Sequence, residues 1–210
     1  MKIVASVGFP RVVCAAAALM AAPAFAGSHL WRFSEMFTNA AGNIQYIELK
    51  ECCGSNIETA IGGKWVNSAA NNATFTFPNS IPTGTANKFL LLGTAGFAAL
   101  PGAPTPDFII PANFLPTSGS NTLTYWLYGD ATLAYAAGML PTDGVNSLSA
   151  TGSTAINSPT NYAGQSGSVN AGPATPAISD WGVVTLTLLI LIAATMVLLR
   201  RQNDLTVLRR

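Results

Sequence analysis

Apolar and polar residues alternate in short runs along the first two thirds of the chain. In Leu30–Phe37, Trp31, Phe33 and Phe37 fall on one face with Glu35, while Arg32 and Ser34 point the other way. A period of two is the mark of a half-buried strand. Thr38 to Asn43 reads as a turn containing Asn39 and Gly42, residues that accept turn conformations readily. Ile44–Leu49 then sets Ile47 and Leu49 opposite Tyr46 and Glu48. Gly62-Gly63 interrupts the chain before Trp65 and Val66, and Thr74–Phe77 alternates until Pro78. Lys88–Leu92 is a short, nearly continuous apolar run, as a central strand requires. Phe108–Ile110 is brief and bracketed by prolines; Thr122–Tyr128 alternates Leu123, Tyr125 and Leu127 against threonines, Trp126 and Tyr128. Short strands, frequent turns and no long helical stripe predict a mainly β fold, a sandwich or barrel, over residues 27–145. That length suffices for one domain with one core.

The two ends carry different patterns. Lys2 and Arg11 precede an alanine-rich apolar run, Val12 to Ala22, too short to span a bilayer. Ala24-Phe25-Ala26 follows as a small-residue cleavage site. Residues 1–26 therefore read as a secretory signal peptide, with signal peptidase cutting before Gly27. Cys14 would leave with it. At the other end, Trp181–Leu199 contains no charge and is followed by Arg200-Arg201. At 1.5 Å per residue such a run covers a ~30 Å hydrocarbon core. The arginines keep to the cytoplasm, which places residues 27–180 outside the inner membrane. Residues 146–175, rich in Ser, Thr, Asn, Gly, Ala and Pro and free of charge, read for the most part as a flexible linker holding the domain ~30 Å away from the membrane; the alternative is that Tyr162 and Val169 pack onto the domain as a last extended segment.

Composition narrows the functional classes. The chain has 210 residues, with ten Lys/Arg against nine Asp/Glu and a net charge of +1. That excludes a nucleic-acid binder acting by phosphate neutralisation. A single histidine disfavours a Ser-His-Asp triad or a His-rich metal site. No residues assemble into a recognisable catalytic, cofactor or metal motif, so the chain reads as non-enzymatic.

The C-terminal segment, Thr175-Pro176-Ala177-Ile178-Ser179-Asp180-Trp181-Gly182 with its apolar span and arginines, resembles the IPTL-CTERM sorting signal of Gram-negative bacteria. Pro176, Ser179, Trp181 and Gly182 match that pattern; Thr175, Ala177, Ile178 and Asp180 depart from it. The resemblance covers the last 35 residues or so, 176–210 as a unit, and implies an exosortase-family transpeptidase as partner. Pro176 would keep Thr175 extended, and Asp180 suits the positive end of the following helix. The domain itself resembles the lamin-tail family in Trp31–Glu35, Gln45–Leu49, Gly63-Lys64-Trp65, Phe75–Pro78 and Phe89–Leu92. This implies an immunoglobulin-like sandwich used for binding and display.

Candidate chemistry is sparse. Glu35 and Glu48 can face each other across the first hairpin, where a carboxylate pair could act in acid–base work or bind calcium. The structural alternative is a rim or surface pair with polar partners. Asp107, Asp130 and Asp143 stand in turn contexts. Cys52 and Cys53 are adjacent, and the only cysteines left once the leader is removed. Their Cα atoms are ~3.8 Å apart across a trans peptide, below the usual disulfide range. A vicinal disulfide, pairing between chains and free thiols all remain open. A catalytic thiol is disfavoured, since His29 is the sole base on offer. The aromatic residues Trp31, Phe33, Tyr46, Trp65, Phe75, Phe77, Tyr125 and Trp126 are expected in the core, with any exposed subset able to stack on sugars. The expectation is thus a secreted cell-surface protein of structural, adhesive or matrix-associated role. The alternatives are a glycan-binding module with exopolysaccharide as partner, an unprocessed single-pass membrane protein, and a disfavoured secreted hydrolase.

Overall fold

A computed structural model describes residues 27–126, 131–172 and 180–207. The signal-peptide positions Ala24 and Ala26, the motif positions Pro176 and Ser179, and Leu127, Tyr128 and Asp130 lie outside the described residues.

The fold is mainly β. Its first sheet is built from β1 (Trp31–Thr38), β2 (Gln45–Glu51), β5 (Phe89–Thr94), β6 (Phe108–Ile110), β9 (Asn146–Ser149) and β10 (Thr154–Ile156). They lie in the order β10-β9-β1-β2-β5-β6, antiparallel throughout except for the β5–β6 pair. The second sheet holds β3 (Trp65–Ser68), β4 (Ala73–Thr76), β7 (Asn121–Tyr125) and β8 (Ala131–Tyr135) in the order β4-β3-β7-β8. One core lies between the sheets. Trp31, Phe33, Ile47, Leu49, Leu90 and Leu92 from the first meet Val66, Leu123 and Tyr125 from the second.

The centre of the first sheet is covered on both faces. Its far side carries a smaller cluster of Phe37, Tyr46, Leu91, Phe97, Val169 and Ala171. Phe97 comes from α1 (Ala95–Ala98), a single turn capped by Thr94, whose side chain accepts from the Phe97 N–H. A sheet buried on both faces has no use for alternation, which is why β5 reads Phe-Leu-Leu-Leu. Leu90 and Leu92 enter the main core, Leu91 the smaller one.

One expectation about β1 is corrected. Trp31, Phe33 and Phe37 do not share a face with Glu35. The β1–β2 register slips between Phe33 and Glu35, so Phe33 faces Leu49 and Glu35 faces Glu48. Ser34 is the extra residue of a β-bulge. Beyond it the parity inverts: Met36 joins Trp31 and Phe33 in the main core, while Glu35 and Phe37 turn to the far side.

The flexible linker is also corrected, and the domain extends past residue 145. Residues 146–156 form β9 and β10, and the chain then crosses the far face of the first sheet as a strap from Asn157 to Ala171. Asn157 is its anchor. The side chain donates to the carbonyls of Val145 and Val169, both at 2.7 Å, and accepts from the Val169 N–H at 2.8 Å. Ala171 N donates to Gly144 O at 2.7 Å. Gly144 has φ +72, and a Cβ there would sit 2.3 Å from the Ala171 backbone. Charge-free, small-residue composition suggested a solvated segment. Its order comes instead from backbone and amide hydrogen bonds, which need few apolar side chains.

Asp180–Val207 forms a helix, α2, of 28 residues. Side chains 184–197 are exposed. Among the described residues, no helix is long and apolar enough to cross a membrane.

Candidate functional site

The bulge brings the two glutamates together on the far face of the first sheet, beneath the strap. They are neither a rim nor a surface pair: Glu35 is 8% and Glu48 3% exposed. Ser34, the bulged residue, donates its hydroxyl to Glu48 Oε1 at 2.6 Å. Tyr46 donates to Glu35 Oε1 at 2.7 Å, and the Ser147 hydroxyl makes a short hydrogen bond to the same atom.

The strap supplies the remaining donors. Ser158 N–H reaches Glu35 Oε1 at 2.9 Å and Thr160 N–H reaches Glu48 Oε2 at 2.7 Å. Tyr162 N–H reaches Asp107 Oδ2 at 2.9 Å. Alternate backbone N–H groups of an extended segment thus end on carboxylates rather than on a neighbouring strand. Asp107 also accepts from Leu91 N–H at 2.8 Å, which ties the strap to β5.

Burial dominates the electrostatics. It pushes Glu48 up from 4.5 to about 7, helped by the nearby Glu35 charge and opposed by the Ser34 and Thr160 hydrogen bonds and by Lys50. Burial likewise raises Asp107 against the pull of its Leu91 and Tyr162 N–H donors. Tyr46 is raised by burial and by Glu35, so its phenol stays a donor. A cavity of about 230 Å³ adjoins the pair, lined by both glutamates and the serines at 34, 147, 149, 153 and 158. Each carboxylate oxygen already takes a donor from the chain. The arrangement holds the strap down.

Cys52 and Cys53 form a vicinal disulfide just past the end of β2. Both residues are exposed. Glu51, the last residue of β2, is fully buried beside them. Burial would raise it, but N–H donors of Asn87, Ser55, Cys53 and Gly54 outweigh that and hold its carboxyl below the usual range. Glu51, Cys52 and Cys53 bring potential ligand atoms within 4.8 Å of one another. The Glu51 oxygens are engaged by these amides at 2.8–3.1 Å.

Other candidate residues are dispersed. Asp143 accepts from Val145 N–H, Asn146 N–H and the Asn146 amide, a local turn arrangement. His29 is exposed, with Nδ1 3.7 Å from Glu58. Gly27 is tied in by its N–H to Ile57 O at 2.8 Å. Trp31, Phe33, Tyr46, Phe77 and Tyr125 are buried as expected. Trp65, Phe75 and Trp126 are half-buried. Trp65 and Trp126 meet edge to face at 6.1 Å, and Lys64 lies 4.0 Å above the Trp126 ring. Trp126 has φ +59, a left-handed conformation uncommon for a bulky residue.

Asp180, Trp181, Gly182, Arg200 and Arg201 all fall within α2. Comparison with known protein families, with curated proteins and with solved structures finds no match to this chain.

Proposed function

We propose that this chain is an exported, non-enzymatic cell-surface protein, an immunoglobulin-like, lamin-tail-like β-sandwich displayed through a C-terminal sorting signal. The observation that carries the reading is Trp181-Gly182 at the head of an uncharged run that ends in Arg200-Arg201. The leader at residues 1–26 supplies the route through signal peptidase. Two features support the reading. The side chains of residues 184–197 in α2 are exposed, and exposed apolar side chains are costly in water. The glutamates that offered the best acid–base chemistry are occupied in holding the strap.

The described fold reaches Gly172, four positions before Pro176 of the sorting motif in the sequence. An exosortase-family transpeptidase would act at that motif.

Replacing Trp181 and Gly182 together by alanine tests the sorting step. The reading expects less protein at the cell surface and in the medium, and more full-length chain in the inner membrane. Unchanged surface delivery would remove the sorting role and leave an unprocessed single-pass anchor. Glycan binding at the surface is a second reading, favoured by the half-exposed Trp65–Trp126 pair. It predicts that Trp65→Ala weakens retention on exopolysaccharide.

A further inference from the structure

We propose that the Cys52–Cys53 disulfide is a thiol-exchange site that opens to an external dithiol while the surrounding fold stays intact. A disulfide stabilises a protein chiefly by shortening the loops open to the unfolded chain, and the effect grows with the length of chain enclosed. Neighbouring residues enclose almost none. The bond therefore does little as a staple, and the loop around it is held by other means. Glu51 gathers the N–H groups of Cys53, Gly54, Ser55 and Asn87 at 2.8–3.1 Å. Cys52 N–H donates to Leu30 O at 3.0 Å, and Glu51 N–H to Lys88 O at 2.9 Å. None of these bonds involves sulfur. Both cysteines are exposed, so an incoming thiolate can approach.

The exchange runs in two displacements. One thiolate of the dithiol attacks one cysteine sulfur, forming a mixed disulfide and expelling the neighbouring cysteine thiolate. The second thiolate of the reagent then attacks the mixed disulfide at its own sulfur. The reagent leaves as its cyclic disulfide and the second cysteine is released. Two electrons pass from the dithiol to the pair, and two protons complete the two thiols. Because Glu51 still fixes the backbone, the thiols stay side by side. They then form a ready chelate for a thiophilic centre, such as a trivalent arsenical. An arsine oxide binds both sulfurs and releases one water.

The test uses the full chain in detergent micelles with Cys14→Ala, so that Cys52 and Cys53 are the only thiols. After dithiothreitol and its removal, we expect two N-ethylmaleimide adducts per folded chain and one phenylarsine oxide per chain by intact mass. The β signal in circular dichroism should be unchanged. In the same chain carrying Cys53→Ala, one maleimide adduct and at least a tenfold weaker hold on phenylarsine oxide are expected. Labelling only after denaturation would overturn the proposal. So would loss of the β signal on reduction, or equal arsenical retention by the Cys53→Ala chain. None of these outcomes depends on the sorting signal.

Discussion

Raising the pH should weaken the domain through Glu48. Its carboxyl titrates near 7 in the fold against an ordinary value of 4.5, so the folded state favours the neutral acid. The stabilisation this gives is fully present below pH 4.5 and is lost as pH rises through 7. At ~1.4 kcal/mol per pH unit the whole interval is worth about 3 kcal/mol, of which about 2 kcal/mol disappears between pH 5.5 and 8. For a domain of this size that is a fall in Tm of roughly 5–10 °C. Asp107, also raised by burial, acts in the same direction. Glu51 and Asp143 are held low by hydrogen bonds. Their stabilisation is lost only as pH falls below their ordinary carboxylate values, outside this window. The assay is urea unfolding of residues 27–172 followed by tryptophan fluorescence from pH 5.5 to 8.5, on the parent and on Glu48→Gln. Gln keeps the shape and an acceptor for Thr160 N–H but cannot ionise. The variant should lose most of the slope. A parent whose stability rises over this range, or a Glu48→Gln chain with the same slope as the parent, would refute the reasoning.

Further predictions concern packing and the strap. Leu92→Ala, in the fully buried centre of β5, should cost ~2–5 kcal/mol in chemical unfolding. Asn157→Ala strips the strap of three hydrogen bonds to Val145 and Val169. It should cost ~2–4 kcal/mol and raise amide exchange across 157–171. Gly144→Ala and Gly63→Ala both place a side chain at positive φ, but only Gly144 has a neighbour within 4 Å, the Ala171 backbone. Thermal melts should show Gly63→Ala losing about 1 kcal/mol and Gly144→Ala clearly more.

Much of the sandwich was legible because burial on one face leaves a period of two. Ile47 and Leu49 oppose Tyr46 and Glu48 in the structure as the pattern required. The bulge at Ser34 was not legible. A one-residue slip leaves no mark in composition, yet it moves Glu35 to the face where Glu48 already stands. The strap was legible only in Tyr162 and Val169, the two residues able to pack onto the domain as a last extended segment. Its order comes from backbone N–H groups meeting carboxylates far away in sequence, and hydropathy does not register such bonds. Its few buried side chains include Asn157, Asn161, Val169 and Ala171. Strands β8 to β10 are short and rich in small or polar residues, too weak a pattern to separate from loop.

The central claim is that both ends of the chain are addresses and the sandwich between them works outside the cell. Intact mass of the protein recovered separately from envelope and medium tests it most directly. The account predicts chains that begin at Gly27, with a surface or released form that has lost the residues beyond the motif at 176–182. Chains that retain Met1 and stay in the cytosolic fraction would contradict it.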